Sequence, residues 1–202
     1  MPNLSFLSKT VERVVADQLN RYLASSGLMP PLQVQSAYRA CHSTETALLR
    51  VMSDVFAAAD QQRVTLLGLL DLSAAFDCVD HNILLLSLER VFGLSGQVLT
   101  WLRSFLTDRT QCIAYAGVIS LVVELLWGVP QGSMLGPLLF LLYTAEIFSV
   151  IAVNGASAHF YTDDGQLYVN CPVHIAPRTP SASSLTASAE TSPHGWAPTG
   201  CA

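Results

Sequence analysis

The stretch FYTDDGQLYV, residues 160–169, places the strongest constraint on how this chain can fold. Two adjacent carboxylates, Asp163 and Asp164, stand between residues that favour β-strands, and Asp164-Gly165 is a common two-residue hairpin turn. The pattern predicts a short β-hairpin with two acids at its tip. Neighbouring like charges repel unless water or a cation relieves them, and oxygen ligands on a tight turn suit Mg²⁺. This stretch alone is compatible with an exposed acidic turn or with a metal site.

A second acidic stretch is LLGLLDLSAAFDCVDH, residues 66–81. The apolar run 64–70 predicts a buried strand that ends at Asp71, and a carboxylate buried without partners is costly. Two alternatives remain open. Asp71 and Asp77 cap the following helix, or Asp71 meets Asp163 and Asp164 in space, where three carboxylates would hold two divalent ions.

A third stretch, WGVPQGSMLGPLLFLLY, covers residues 127–143. Its glycines and prolines predict an irregular loop, and the apolar run 138–147 that follows is compatible with a helix. Glycines let a backbone approach a ligand closely, and Gln131 adds a polar amide beside them. The loop is therefore either a packing corner or part of a binding site.

In order, DLSAAFD, GVPQGSMLGP and YTDD resemble the reverse-transcriptase domain of non-LTR, LINE-type retrotransposons. The segments NLSFLSKTVERVVADQLNRYL and QSAYRACHSTETALLRV resemble finger-region segments of that family. The resemblance implies an α+β fold of the polymerase palm-and-fingers type, with a small antiparallel sheet packed on helices and the thumb absent. It places a partial reverse transcriptase domain at residues 1–170, with fingers at about 1–63 and palm at about 64–170.

The resemblance also implies the residues of the active site. Asp71, Asp163 and Asp164 match the catalytic, metal-binding aspartates, and the backbone carbonyl of Leu72 would be a further metal ligand. The cofactor implied is Mg²⁺, as two ions, with Mn²⁺ as a substitute.

Five further residues match substrate-contacting positions. Phe76 would exclude ribonucleotides, Tyr161 would lie beside the primer end, and the loop residues Gln131 and Gly132 would cover the incoming nucleotide. Arg39 is a candidate contact for the triphosphate or the template backbone.

The activity implied is RNA-directed DNA polymerisation, with an RNA template, a DNA primer and dNTPs as partners and no small-molecule cofactor. The chain departs from the family pattern at Thr162, commonly Ala, at Gly165, commonly Thr or Ser, and in lacking the arginine that opens the first finger segment. Because positioning of primer and template contributes much of the rate, an inactive truncated remnant without enzymatic role is the alternative.

Composition limits the partners and the compartment. The formal net charge is −5 with 10 lysines and arginines, so the chain lacks the basic surplus of a strong nucleic-acid binder. Its five cysteines include no C-x-x-C pair, and free thiols are expected. The N-terminus has no apolar signal core, which predicts an intracellular protein, nuclear or cytoplasmic, that is not secreted.

A membrane-inserted small protein is the less favoured alternative. The mostly apolar stretch 134–153 is long enough to span a bilayer. Pro137 near its start and the charge of Glu146 within it argue against insertion.

The composition of residues 171–202 predicts a disordered tail, because Pro alternates with Ser, Thr and Ala.

Periodicity predicts the remaining elements. Four helices are predicted: about 4–23 with Leu7, Val11, Val14, Val15 and Leu19 inward, 44–59 with Leu48, Val51, Met52 and Val55 inward, 73–91 with Ser73 as N-cap, and 96–106. Two strands are predicted, at 110–115 and 120–127.

Overall fold

The computed structural model describes residues 6–31, 34–72, 74–130 and 132–172, in helices and short antiparallel sheets. The α+β class is therefore confirmed. In chain order the elements are α1 (Phe6–Ser25), α2 (Thr44–Asp60), β1 (Arg63–Asp71), α3 (His81–Arg90), α4 (Gly96–Leu106), β2 (Arg109–Gln111), β3 (Ala114–Tyr115), β4 (Val118–Ile119), β5 (Val123–Leu125), α5 (Gly136–Tyr143), α6 (Ala145–Val153), β6 (Ser157–Tyr161) and β7 (Asp164–Pro172).

The chain divides into two compact units, each built from two separate segments. Unit 1 comprises Met1–Met29 and Ala74–Tyr143, and unit 2 comprises Pro30–Ser73 and Thr144–Ala202. Unit 1 therefore holds α1, α3, α4, α5 and the strands β2 to β5, whereas unit 2 holds α2, α6 and the strands β1, β6 and β7.

Unit 2 is organised around an antiparallel sheet in the order β1-β7-β6. Helix α2 contacts β1 and β6, and α6 contacts β6. The core cluster between sheet and helix consists of Ile151, Ala156, Ala158, Phe160 and Leu167. Phe148 of α6 meets the ring of Phe160 edge-on, with centroids 5.4 Å apart. This packing fixes β6, the strand that leads to the acidic turn.

Helix α2 begins at a capping box. The Ser43 hydroxyl accepts the Thr46 N–H and the Thr46 hydroxyl accepts the Ser43 N–H. Its buried residues are Ala47, Val51 and Ala58. Of the predicted inward residues, Val51 is buried, whereas Leu48 and Met52 are exposed and two alanines complete the buried set.

Strand β1 forms where the apolar run predicted it and ends at Asp71, but the prediction that it is buried was wrong. Leu67 and Leu70 are exposed, and Leu69 has 75% of its surface accessible. The strand lies at the edge of its sheet, so only one of its neighbours is another strand.

Unit 1 is mainly helical, and α3 contacts both α4 and α5. The helix predicted from Ser73 begins later, at His81, where the Asp80 carboxylate accepts the N–H groups of Asn82 and Ile83 as the N-cap. Ala74–Asp77 forms turns instead, and Ser73 lies outside the described residues. Asp80 was not predicted as a cap, although its side chain satisfies two N–H groups of the first turn.

Helix α1 buries Leu19 as periodicity predicted, but most of the other residues predicted to face inward are not buried. Its buried residues are Glu12, Ala16, Leu19 and Leu23, while Leu7, Val11 and Val14 are exposed. The buried face includes the charged residue Glu12, which is 1% exposed and accepts hydrogen bonds from the Met134 N–H and the Ser8 hydroxyl.

The predicted strands around Gly117 form two small sheets, β2 with β5 and β3 with β4. Ala116 and Gly117 both have positive φ, of 49° and 81°, as a tight hairpin turn requires. Many apolar side chains of this region are exposed, among them Ile113, Tyr115 and Leu121.

Segment Gly136–Val153 is long and apolar enough to cross a membrane by length and composition alone. It comprises two helices, α5 and α6, and six of the eight residues of α5 are buried in the protein. That burial is typical of a core helix, so the segment is weak support for the membrane alternative.

The predicted tail falls almost wholly outside the described residues. Strand β7 continues through Cys171 to Pro172, two residues into the range predicted as tail. Among the described cysteines, Cys41, Cys78, Cys112 and Cys171, none forms a disulfide bond.

Candidate active site

The two adjacent acids lie at the tip of the β6-β7 hairpin, as the sequence predicted, but the turn lies two residues earlier than expected. Tyr161 pairs with Asp164, so the two-residue loop is Thr162-Asp163 and not Asp164-Gly165. Thr162 takes the positive φ of 62° that the loop demands.

Gly165 lies in strand β7 and not in the turn. Its role there is to allow close packing. It pairs with Phe160 across the hairpin. A Cβ added to it would lie 2.5 Å from Cε1 of the Phe160 ring. The lack of a side chain at Gly165 thus makes room for an aromatic ring. An Asp-Gly pair in a sequence can serve either this packing or a turn, and the sequence alone does not tell which.

Strand β1 brings Asp71 to the same end of the sheet. Asp71 pairs with Asp164 in the antiparallel register, and the Leu72 N–H donates to the Asp163 carbonyl at 3.3 Å. The strand pairing therefore brings the backbone of Asp71 and Leu72 beside Asp163 and Asp164, which lie more than ninety positions later in the sequence.

The charges at this end are accessible to solvent. Asp71 and Asp164 are exposed and Asp163 is partly exposed. Within the described ranges, no lysine or arginine forms an ion pair with any of the three. Directly opposed residues of an antiparallel pair have Cβ atoms about 5 Å apart, and like charges at that separation are destabilising.

The donor set fits a divalent cation of the Mg²⁺ type. Carboxylate and backbone carbonyl oxygens are the ligands that hard cations prefer, and a cation would relieve the repulsion between Asp71 and Asp164. Among the described residues, no group of three or more His, Cys, Asp or Glu side chains is already gathered around one ion position. The backbone thus juxtaposes the acids, while their side chains are not yet in a ligating arrangement.

The other predicted site residues lie in both units. Tyr161 is the last residue of β6, directly before the turn. Arg39 also belongs to unit 2, and its guanidinium donates to the Pro30 carbonyl, while its buried Nε has no partner among the described groups. Burial lowers the pKa of Arg39.

Phe76 comes from the second stretch, whereas Gln131 and Gly132 come from the third, and Gln131 lies outside the described residues. Phe76 belongs to unit 1, where its ring packs against Phe140 with centroids 4.7 Å apart. Gly132, in the same unit, is exposed and has a φ of 75°, a conformation that favours glycine.

Two residues that sequence reasoning missed hold this loop in place. Glu12 of α1 accepts the Met134 N–H at 2.9 Å and the Ser8 hydroxyl at 3.0 Å. The buried Ser133 hydroxyl accepts the N–H groups of Leu135 and Gly136 at the start of α5. A Ser three residues before a Gly-Pro helix start was a readable cap signal, whereas nothing local identifies Glu12.

A family model described as reverse transcriptase (RNA-dependent DNA polymerase) matches residues 2–180. The chain belongs to the reverse transcriptase family. The chain is 32% identical over 144 residues to the probable RNA-directed DNA polymerase from transposon BS of Drosophila melanogaster, a match that covers 71% of this chain and 16% of that protein. It is also 32% identical over 145 residues to the RNA-directed DNA polymerase from mobile element jockey of the same species, covering 71% of this chain and 15% of that protein.

The resemblance to non-LTR retrotransposon polymerases is thus confirmed, for a chain that spans about one sixth of the length of these relatives. Among solved structures, apo telomerase from Candida tropicalis, truncated from its C-terminal domain, has a TM-score of 0.57 at 15% identity. That match covers 90% of this chain and 36% of the telomerase chain, and it shows a shared fold.

Proposed function

We propose that this reverse transcriptase chain carries the nucleotidyl-transfer site of a non-LTR retrotransposon RNA-directed DNA polymerase. The observation that supports this best is the register of β1 and β7, in which Asp71 opposes Asp164 with Asp163 one residue away. In the proposed palm-and-fingers arrangement, unit 2 supplies this part of the palm.

Asp71, Asp163 and Asp164 would hold two divalent ions, with the Leu72 carbonyl as a further ligand. Such ions, when bound, activate the primer 3′-hydroxyl and neutralise the triphosphate of the incoming nucleotide. The exposure of Asp71 and Asp164 supports this role, because primer and nucleotide must reach the ions from solvent.

The remaining roles are assigned from the family motifs. Tyr161 would lie beside the primer end and Phe76 would exclude ribonucleotides, while the Gln131-Gly132 loop would cover the nucleotide and its template base. Arg39 is the proposed contact to triphosphate or template. RNA template, DNA primer and dNTPs are the proposed partners, and we place the activity inside the cell, in nucleus or cytoplasm.

A second candidate is a chain that retains the acidic site without polymerising by itself. The exposed apolar residues of β1 favour it, because a sheet that is uncovered at Leu67 and Leu69 is typical of a domain that lacks some of its packing partners.

Primer extension on an RNA template with Mg²⁺ tests the proposal. Asp163→Asn and Asp164→Asn should each reduce extension by about 100-fold or more, as the removal of a group that stabilises developing charge does. Asp60→Asn, at the exposed end of α2, is the matched control and should leave extension unchanged.

The two candidates give different outcomes. Extension that is unaffected by Asp163→Asn and Asp164→Asn would refute the proposed site. Absence of extension by the unsubstituted chain, together with Mn²⁺ binding that Asp163→Asn weakens, would favour the second candidate.

A further inference from the structure

A buried glutamine, Gln35, contacts the acidic turn from a position far away in the sequence. The segment around it runs alongside β6 in a parallel bridge between Gln35 and Phe160. The Phe160 N–H donates to the Val34 carbonyl at 2.8 Å and the Ser36 N–H donates to the Phe160 carbonyl at 3.2 Å. This pairing carries Gln35 to the base of the Thr162-Asp163 loop.

The Gln35 side chain is fully buried and its amide bonds both backbone groups of Thr162. Its Nε2 donates to the Thr162 carbonyl at 3.2 Å, and its Oε1 accepts the Thr162 N–H at 3.3 Å. The same Oε1 accepts the Ala37 N–H at 3.0 Å. The amide therefore fixes both peptide groups that flank Thr162.

Thr162 is the residue of the turn that most needs such support. Its φ of 62° is unfavourable for a β-branched side chain, and such a conformation persists only where the surroundings impose it. The orientation of the peptide group between Thr162 and Asp163 influences where the Asp163 side chain points. The hydrogen bond from Gln35 Nε2 to the Thr162 carbonyl fixes this peptide group, which is directly attached to a proposed metal ligand.

We infer that Gln35 is a positioning residue for the active site, which holds the Thr162-Asp163 turn in the conformation that presents Asp163 to divalent metal. The inference rests on the proposed function for the identity of the ligand, but the contact between Gln35 and the turn is independent of it. Gln35 itself is buried and acts on the turn through its hydrogen bonds to Thr162.

The test compares Gln35→Met with Ser36→Ala in the full chain. Methionine has a similar length and shape but removes every hydrogen bond of the amide. Ser36 is the matched control. It is also buried and belongs to the same segment beside β6, but its hydroxyl makes a hydrogen bond with Nε2 of His159 at 3.0 Å and not with the turn.

Two measurements are made on each variant. Hydrogen exchange by NMR reads the Thr162 amide directly, with the Leu167 amide in the central strand β7 as an internal control for folding. Mn²⁺ affinity, measured by EPR, reads the metal site, with Asp163→Asn as the reference for its loss.

Gln35→Met should accelerate exchange at Thr162 by about tenfold, as expected for the loss of one or two hydrogen bonds to a buried backbone group, with little change at Leu167. It should also weaken Mn²⁺ binding by about five- to tenfold. Ser36→Ala should change neither the Thr162 exchange rate nor the Mn²⁺ affinity by more than about twofold.

Unchanged exchange at Thr162, or equal acceleration in Ser36→Ala, would overturn the inference. So would unchanged Mn²⁺ affinity in Gln35→Met where Asp163→Asn abolishes binding. Mn²⁺ binding that is insensitive to Asp163→Asn would instead refute the proposed function, and the exchange rates would still decide whether Gln35 holds the turn.

Discussion

At the residue scale, the acidic hairpin depends on a glycine that makes space and not on a glycine that makes a turn. Gly165 lies across from Phe160, whose ring is buried in the core cluster of unit 2. The hairpin thereby keeps an aromatic side chain packed beside Gly165, the residue that follows Asp164.

Gly165→Ala should destabilise the protein by about 1–3 kcal/mol, because the added methyl group collides with a buried ring that has little freedom to move. Urea unfolding monitored by circular dichroism measures the change. In a Phe160→Leu background the same substitution should cost less, since the ring that it meets is gone. An equal cost in both backgrounds would contradict the proposed packing.

At the element scale, α2 is tied to the central strand of its sheet by a polar contact. The Tyr168 hydroxyl of β7 donates a hydrogen bond to the Asp54 carboxylate of α2. Asp54 also pairs with Arg50 one turn earlier, at 3.5 Å. Burial raises the pKa of Tyr168, and the hydrogen bond to Asp54 raises it further. The neutral hydroxyl is thus the form that the folded protein favours.

This shift predicts a loss of stability at alkaline pH. Because the folded pKa of Tyr168 exceeds the unfolded value of about 10, its stabilising effect is complete below about pH 10 and decreases as the pH rises above it. Thermal unfolding of the wild type should therefore move to lower temperature above about pH 10 more steeply than that of Tyr168→Phe.

Tyr115→Phe, which alters an exposed tyrosine, provides the control for this pH series and should follow the wild type. Identical pH dependence in the wild type and Tyr168→Phe would show that the contact with Asp54 does not affect folding.

At the scale of the whole molecule, charge sets a limit on what the chain can bind without help. A net charge of −5 and only 10 basic residues leave few contacts for a phosphate backbone. Affinity for nucleic acid depends chiefly on such contacts, each of which adds to the salt dependence of binding.

The chain alone should therefore bind an RNA–DNA primer-template weakly, with a Kd of about 10–100 µM at physiological salt. Fluorescence anisotropy with a labelled duplex, repeated at several KCl concentrations, measures both the affinity and its salt dependence. Submicromolar binding with a steep salt dependence would contradict this expectation and would indicate a basic surface that total charge conceals.

The sequence by itself determined the family, the order of the motifs, and that one strand ends at Asp71 while a hairpin carries Asp163 and Asp164 at its tip. The apolar run before Asp71 and the strand-forming residues around Asp163 gave the two strands, since local pattern and propensity act over a few residues. The predicted turn at Asp164-Gly165 and the predicted helix start at Ser73 were both wrong. In each case a neighbouring residue could also form the turn or cap the helix, and local pattern does not choose between them.

Only the tertiary structure decided which groups meet. The pairing of Asp71 with Asp164, the bonds from Gln35 to Thr162 and the burial of Glu12 each join residues about 90 to 127 positions apart. A hydrogen bond or a strand register at that separation depends on how the whole chain folds back on itself, and no local pattern of residue types encodes it.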